Sequence, residues 1–197
     1  MMTRSNGITS PRVFRWQQWP QGLVVLVLSL LVLPAMAAKR WILVDTERAV
    51  AEVHSADGVV DRFHGLAVGR GGTAPLHIQG DETTPTGQFR VTRINRDSDY
   101  HVFIQLNYPT PVHLDRAREQ GHISQARHRQ LLEEGWLRGH LPQDSVLGGY
   151  IGLHGVGEAD ATVHKRFNWT QGCVALTDAQ IDELSDYIEV GTPVIIR

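Results

Sequence analysis

The chain contains a single cysteine, Cys173, in 197 residues. One thiol cannot close an intramolecular disulfide, so no covalent cross-link can hold a small or irregular fold together. The chain must therefore be stabilised by burying an ordinary hydrophobic core. Cys173 itself is then either a reactive group or a small buried side chain.

Residues 1–38 have the pattern of an export signal. Several arginines precede an apolar stretch at 23–33, and the small residues of Pro34-Ala35-Met36-Ala37 follow it. That stretch of roughly 11 residues is shorter than the roughly 20 that a helix needs to cross a bilayer. We expect 1–38 to be a cleaved signal peptide, with an uncleaved anchor as the alternative. Either way the remaining domain is expected in the periplasm, and it would contact the membrane only through an uncleaved leader.

Residues 39–197 have a normal length for one globular domain with its own core, and they are short for two. The formal net charge of -2 and the absence of a basic stripe argue against nucleic-acid binding. The ten histidines show no paired metal spacing of the His-Glu-x-x-His kind. One cysteine also argues against a structural zinc site. We therefore expect no nucleic acid, no metal and no cofactor.

Most of the domain has a strand pattern, with apolar and β-branched runs separated by turn residues. Strands are predicted at 41–44, 49–54, 59–68, 88–94, 101–106, 148–153, 172–176 and 194–196. Thr177, with Gln180 three residues later, predicts a capped helix that ends near Glu189. The fold class is therefore mainly β with a C-terminal helix.

The segment at about 110–142 differs from its surroundings and predicts a helical insertion. Apolar residues recur there at roughly helical spacing among Arg, Glu and Gln. We expect Trp136 in this segment, and Phe167 after it, to lie in the core. The insertion could be a lid or specificity wall beside a site. A solvated scaffold explains its composition equally well.

Two short motifs could carry chemistry. Cys173 ends the run Thr170-Gln171-Gly172-Cys173, and His154-Gly155 lies upstream. A thiol needs a base to become a nucleophile, and a histidine titrates in the right range. Gly172 has no side chain to block a substrate, and the N–H groups of Gly172 and Cys173 could face a developing oxyanion.

Four segments in this order resemble the L,D-transpeptidase catalytic domain family of YkuD type. They are Gly80-Asp81-Glu82-Thr83-Thr84-Pro85-Thr86-Gly87-Gln88-Phe89, His154-Gly155, Thr170-Gln171-Gly172-Cys173 and Gly191-Thr192-Pro193-Val194. The resemblance implies a β-sandwich or barrel-like catalytic domain over 39–197. It also implies a Cys173 nucleophile and a His154 base oriented by the Gly155 carbonyl, acting on peptidoglycan stem peptides through an acyl-thioester.

The chain is most similar to the YafK-like branch of that family, through Cys173-Val174-Ala175-Leu176-Thr177 and Asn107-Tyr108-Pro109. Many relatives have arginine two residues after the cysteine, where this chain has Ala175. This departure puts transfer chemistry in doubt. The branch is associated with hydrolysis at the same bond class, including release of a wall-linked lipoprotein, as well as with cross-linking. The partners implied are stem peptides and, alternatively, such a lipoprotein.

Other residues near the motifs have less specific roles. Arg70, Lys165 and Arg166 could hold a stem-peptide carboxylate, because arginine pairs with carboxylates in a bidentate manner, or they could be solvated surface. Trp169 is expected to form a wall of the pocket. Thr170 could hydrogen-bond near the nucleophile or cap a turn.

Each of these interpretations has an alternative. His164 is a rival base to His154, and Cys173 could be a buried hydrophobe. The turn at Asp81, Thr84, Pro85 and Gly87 is expected to be structural rather than to contact substrate. At the level of function, the alternatives are an inactive wall-binding module and an unrelated thiol hydrolase or redox sensor.

Overall fold

The structure is a computed structural model that describes residues 40–197. The leader expected at 1–38 lies outside the described residues. Among residues 40–197, no helix is both long and apolar enough to cross a membrane. The strands are β1 (Trp41–Asp45), β2 (Val50–Ser55), β3 (Gly58–His64), β4 (Thr73–Ala74), β5 (Thr84–Pro85), β6 (Gly87–Ser98), β7 (His101–Leu106), β8 (Gly152–His154), β9 (Val174–Ala175) and β10 (Pro193–Ile196). The helices are α1 (Pro111–Glu119), α2 (Gln125–Arg138), α3 (Ala161–His164) and α4 (Asp178–Ser185).

Eight of these strands form one mixed sheet in the order β3-β2-β1-β10-β6-β7-β8-β9, and β4 pairs with β5 separately. The pairs β1–β10 and β8–β9 are parallel, whereas the other neighbours in the large sheet are antiparallel. The predicted first hairpin and the pairing of β6 with β7 are both confirmed. The mainly β fold class is confirmed as well.

The core lies against one face of the sheet. Ile104, Leu153 and Val174 are neighbours across β7, β8 and β9, and all three are fully buried. Because successive side chains of a strand point to opposite faces, the alternate residues of these strands lie on the other side. We call this the outer face, and it carries Phe103, Gln105, His154 and Ala175.

The predicted helical insertion folds as two helices, α1 and α2. Ser124 caps α2 by accepting a hydrogen bond from the Arg127 N–H at 3.2 Å. The inward side of α2 consists of His128, Leu131 and Gly135, which are buried. Trp136 is 84% exposed, so its expected place in the core is wrong. The physical reason is its position one residue after Gly135, which turns it about 100° away from the buried side.

The expectation that Phe167 lies in the core is also wrong, because this side chain is 64% exposed. Phe167 comes after the single turn of α3, where His164 takes the inward position and is buried. The ring is therefore left on the outside of the segment that leads to Trp169.

Both strands that carry the motifs are shorter than predicted. Gly148 and Tyr150 have φ values of 65° and 55°, so extended structure begins only at Gly152. Gly172 has φ 134°, and β9 therefore starts after Cys173. Helix α4 has the predicted capping box of Thr177 and Gln180, but it ends at Ser185 rather than near Glu189. The two motifs thus lie at irregular strand ends rather than inside long strands.

Candidate active site

Cys173 and His154 lie on the same face at the β8–β9 end of the sheet. In this parallel pair Leu153 is opposite Val174, and His154 is opposite Ala175. Continuing the register by one residue places Cys173 opposite Gly152. Residues that are paired across strands share a face, so the thiol and the imidazole are diagonal neighbours on the outer face.

The orientation of the His154 ring is fixed by its own chain. Its Nδ1 lies 2.6 Å from the carbonyl oxygen of Gly155. Because a carbonyl only accepts, Nδ1 carries the proton and Nε2 is left as an acceptor. The Gly155 N–H in turn donates to the Tyr100 carbonyl at 3.0 Å, which holds the orienting residue in place.

Aromatic rings surround His154 and exclude water from it. The ring centroids of Tyr100, Trp169 and Phe103 lie 4.5, 5.7 and 6.2 Å from that of His154. The side chain is 2% exposed. This burial lowers the pKa of His154 to about 4, against the opposing effect of the Gly155 carbonyl. The imidazole is therefore neutral at pH 7 and able to accept a proton.

The thiol is half-buried and held in place by backbone groups. The Cys173 S–H donates to the carbonyl oxygen of Tyr150 at 3.5 Å. Burial raises the pKa of Cys173 to about 11, against the opposing effect of the Gly152 backbone amide. At pH 7 the pair is thus a thiol beside a neutral imidazole, rather than a thiolate and imidazolium. Tyr150 has positive φ and a side chain that is 65% exposed next to this pair.

A compact hydrogen-bonded loop presents Cys173. The Thr170 hydroxyl donates to the Cys173 carbonyl at 2.6 Å and accepts from the Gly172 N–H at 3.2 Å. This hydroxyl is engaged inside the loop, which favours its role of holding the nucleophile over that of binding substrate. The Gly172 N–H is likewise occupied. Of the two oxyanion donors expected from the sequence, only the Cys173 N–H makes no hydrogen bond within residues 40–197.

Gly172 is required at its position for two reasons. Its φ of 134° is a conformation that side chains rarely adopt, and a Cβ there would lie 2.9 Å from both Ile151 Cδ1 and the Thr83 carbonyl oxygen. The close approach of the chain at 83 explains why the Gly80–Phe89 segment accompanies the cysteine motif. Thr84 completes the link, because its hydroxyl accepts from the Gly69 N–H at 2.8 Å and lies 3.4 Å from the Cys173 carbonyl.

His77 lies beside the cysteine loop, although it belongs to none of the motifs identified in the sequence. Its Nδ1 is 2.9 Å from the Asp81 carboxylate and 2.8 Å from the Thr83 carbonyl. A Cβ added at Gly148 or at Gly172 would lie 3.1 or 3.3 Å from this ring, so the ring leaves little room for a side chain at either glycine. Asp81 also accepts from the N–H of Thr83, so its role in the turn is structural, as expected. The only sequence signal for His77 is its position just before the Gly80-Asp81 pair.

The three cationic residues that could hold a substrate carboxylate are not equally free to do so. The Arg70 guanidinium forms an ion pair with Glu82, so its charge is already compensated. Lys165 and Arg166 are exposed just after α3 and form no ion pair within residues 40–197. The rival base His164 accepts from Trp169 Nε1 at 3.2 Å. Across the described part of the chain, no group of three or more His, Cys, Asp or Glu residues could hold a metal ion.

Solved structures share this fold at low sequence identity. Bd1075 from Bdellovibrio bacteriovorus is 18% identical with a TM-score of 0.53, over 81% of this chain and 48% of that protein. The helical cell shape determining protein Pgp2 from Campylobacter jejuni is 18% identical with a TM-score of 0.54, over 80% of this chain and 47% of Pgp2. The chain thus covers about half the length of these proteins.

A comparison with curated protein sequences gave no significant match. The family model for the L,D-transpeptidase catalytic domain, YkuD, matches residues 39–196, which is most of the chain. The resemblance seen in the four sequence segments is thereby confirmed for the family, while the YafK-like branch stays a prediction. The chain belongs to the YkuD family of L,D-transpeptidase catalytic domains.

Proposed function

We propose that this chain is a periplasmic cysteine acyl-enzyme that acts on peptidoglycan stem peptides. The placement of Cys173 and His154 on one face, with His154 Nε2 free to accept the thiol proton, carries the proposal. Family membership supports the substrate class. The bond attacked is the amide that follows the L-centre of the third stem residue.

The reaction begins with a neutral thiol and a neutral imidazole. As sulfur attacks the amide carbonyl, the thiol proton moves to His154 Nε2, and an S–C bond forms as the carbonyl π bond opens. The Cys173 N–H stabilises the resulting oxyanion, and one such donor is typically worth about 10²–10³ in rate. His154 then gives its proton to the departing amine, the C–N bond breaks, and an acyl-thioester is left on Cys173.

The second half of the reaction depends on the acceptor. His154 removes a proton from water or from an amine, which attacks the thioester and releases Cys173 as a thiol. Ala175 is fully buried where many relatives have arginine, so either another cation holds the substrate carboxylate or the substrate differs. Arg166 and Lys165 are the exposed cations available near the cysteine loop. We propose hydrolysis, including release of a wall-linked lipoprotein, as the preferred outcome over cross-linking.

Mass spectrometry of wall fragments tests both parts of this proposal. Isolated peptidoglycan, with and without wall-linked lipoprotein, is incubated with the wild-type chain and with Cys173→Ala. Shortened stems or freed lipoprotein with the wild type alone would support hydrolysis, whereas new cross-linked dimers would mean transfer. Equal products from both proteins would refute a cysteine mechanism. A carbapenem should add its mass to the wild type and leave Cys173→Ala unmodified.

A further inference from the structure

A groove of about 840 Å³ lies between helix α2 and the outer face of β6 and β7. Its floor is formed by polar side chains of the two strands, including Arg93 and Gln105, and by Asn107, which directly follows β7. Its far wall comes from the helical insertion through Leu132 and Trp136. The groove is therefore built by the segment whose role the sequence left open.

The groove and the cysteine lie in one row across the sheet. Arg93 is opposite Gln105, and Gln105 is opposite Gly152, which is next to Cys173 in the continued register of β8 and β9. Neighbouring strands are about 4.8 Å apart, so three steps place Arg93 about 14 Å from Cys173. The reacting carbonyl belongs to the third stem residue, so three extended residues, about 10 Å, separate it from the glycan end of the stem.

Hydrogen bonds also connect the two places. Gln105 Nε2 donates to Gln143 Oε1 at 3.4 Å, and the Tyr150 N–H donates to the same oxygen at 2.8 Å. The carbonyl of Tyr150 then accepts from the Cys173 thiol. The groove floor and the nucleophile are thus linked by three consecutive hydrogen bonds.

The lining of the groove is cationic and carries an exposed indole. Arg90 and Arg93 line it, and none of its lining residues is Asp or Glu. Arg93 makes no ion pair or side-chain hydrogen bond within residues 40–197. Trp136 offers most of its surface to solvent. An unpaired guanidinium, amide side chains and an exposed indole suit a ligand that combines carboxylates with sugar rings.

We propose that this groove binds the glycan end of the peptidoglycan strand whose stem peptide reacts at Cys173. A sugar ring stacks on Trp136, and a carboxylate near the glycan end of the stem pairs with Arg93. The spacing fits, because three extended residues cover about 10 Å of the roughly 14 Å between Arg93 and Cys173, and the long Arg93 side chain can reach toward the stem over the remainder. This inference rests on the proposed function and deepens it, since it assigns the helical insertion to substrate selection.

Binding measurements on the full chain with Cys173→Ala test the proposal without turnover. The probes are a stem tetrapeptide and the same peptide attached to its disaccharide, titrated by calorimetry. We expect the disaccharide form to bind about tenfold more tightly, the scale of one charge-assisted hydrogen bond or stacked ring. Adding Trp136→Ala should remove most of this preference, because only the disaccharide form has a sugar ring to stack. Adding Arg93→Gln should instead weaken the binding of both probes, because both carry the stem carboxylate.

Leu137→Ala and Arg129→Gln are the matched controls, because both residues are exposed on α2 and neither lines the groove. They should retain the preference for the disaccharide form. Three results would overturn the groove assignment even if stem peptides are cleaved: equal binding of the two probes by Cys173→Ala, a preference that survives Trp136→Ala, or an Arg93→Gln variant that binds both probes as tightly as before. Failure of the wild type to convert any wall fragment would instead refute the proposed function. A sedimentation change caused by Trp136→Ala would overturn the assignment in favour of self-association.

Discussion

The two ends of the outer face are built in opposite ways. At the cysteine end the polar groups are engaged by the chain itself, as shown by His154 Nδ1 on the Gly155 carbonyl and by the Thr170 hydroxyl within its loop. At the groove end Arg93 has no partner among the described residues, and Trp136 faces solvent. The first end is fixed before a substrate arrives, and the second is left open to bind one. Substitutions should therefore have large effects at the cysteine end and modest ones in the groove.

The largest effect should follow removal of the base. His154→Gln cannot take the thiol proton, so we expect kcat/KM on stem peptides to fall about 10³-fold. His164→Gln is the matched control, because His164 is also buried close by and bonded to Trp169. The rate of fragment release, measured by chromatography, shows which of the two variants loses more activity. A larger fall in kcat/KM for His164→Gln than for His154→Gln would show that His164 is the base.

The next largest effect should come from Gly172→Ala. Its new Cβ meets Ile151 and the Thr83 carbonyl at an unfavourable φ, so we expect the free energy of unfolding to fall by about 3 kcal/mol. Gly121→Ala is the control, because its φ of 78° is also positive but no atom lies within 4 Å. That variant should lose about 1 kcal/mol. Urea denaturation compares the two, and equal losses would show that crowding at Gly172 is unimportant.

Acid should destabilise the fold through its buried imidazoles. Burial lowers the pKa of His154 and of His113 to about 4, below the usual value of 6.5. The unfolded chain then binds more protons between pH 6.5 and 4, so stability falls as the pH drops through that window. Between pH 7 and 5 each histidine should cost about 2 kcal/mol.

Urea denaturation at both pH values measures this loss. His113→Gln should remove roughly half of the combined pH effect, since one of the two groups no longer titrates. An unchanged difference between pH 7 and pH 5 in that variant would contradict the assignment to His113.

The smallest of these effects should come from Thr170→Val, which keeps the shape of the side chain but removes both hydrogen bonds of its hydroxyl. We expect a loss of about 1–2 kcal/mol in stability. Thr170→Ser retains the hydroxyl and should stay close to the wild type. Thermal unfolding and the rate of Cys173 alkylation report on the loop. Similar behaviour of the two variants would show that the hydroxyl does not hold the loop.

Local sequence rules predicted those parts of the fold that depend on neighbouring residues. Thr177 and Gln180 specified the cap of α4, and alternation specified the first hairpin, because both depend on contacts within a few residues. The pairing of Cys173 with His154 was predicted from motifs, and the structure brings both to one face.

The parts of the fold and of the site that the sequence did not predict depend on contacts between distant segments. The row from Arg93 to Cys173 joins four segments whose register is set by a β-bulge near Thr92 and by the turn at Gly172, and neither is visible in residue periodicity. The exposure of Trp136 was missed for a related reason. Periodicity shows which residues share a side of a helix, but not which side the sheet covers.

The lone thiol of this chain also determines how the protein responds to oxidants. An oxidised Cys173 would form a sulfenic acid, and most redox-regulated proteins return such a group to the reduced state with a second cysteine of their own. This chain has none. Recovery would therefore depend on a small thiol or a reductase from outside, and in its absence further oxidation would be permanent.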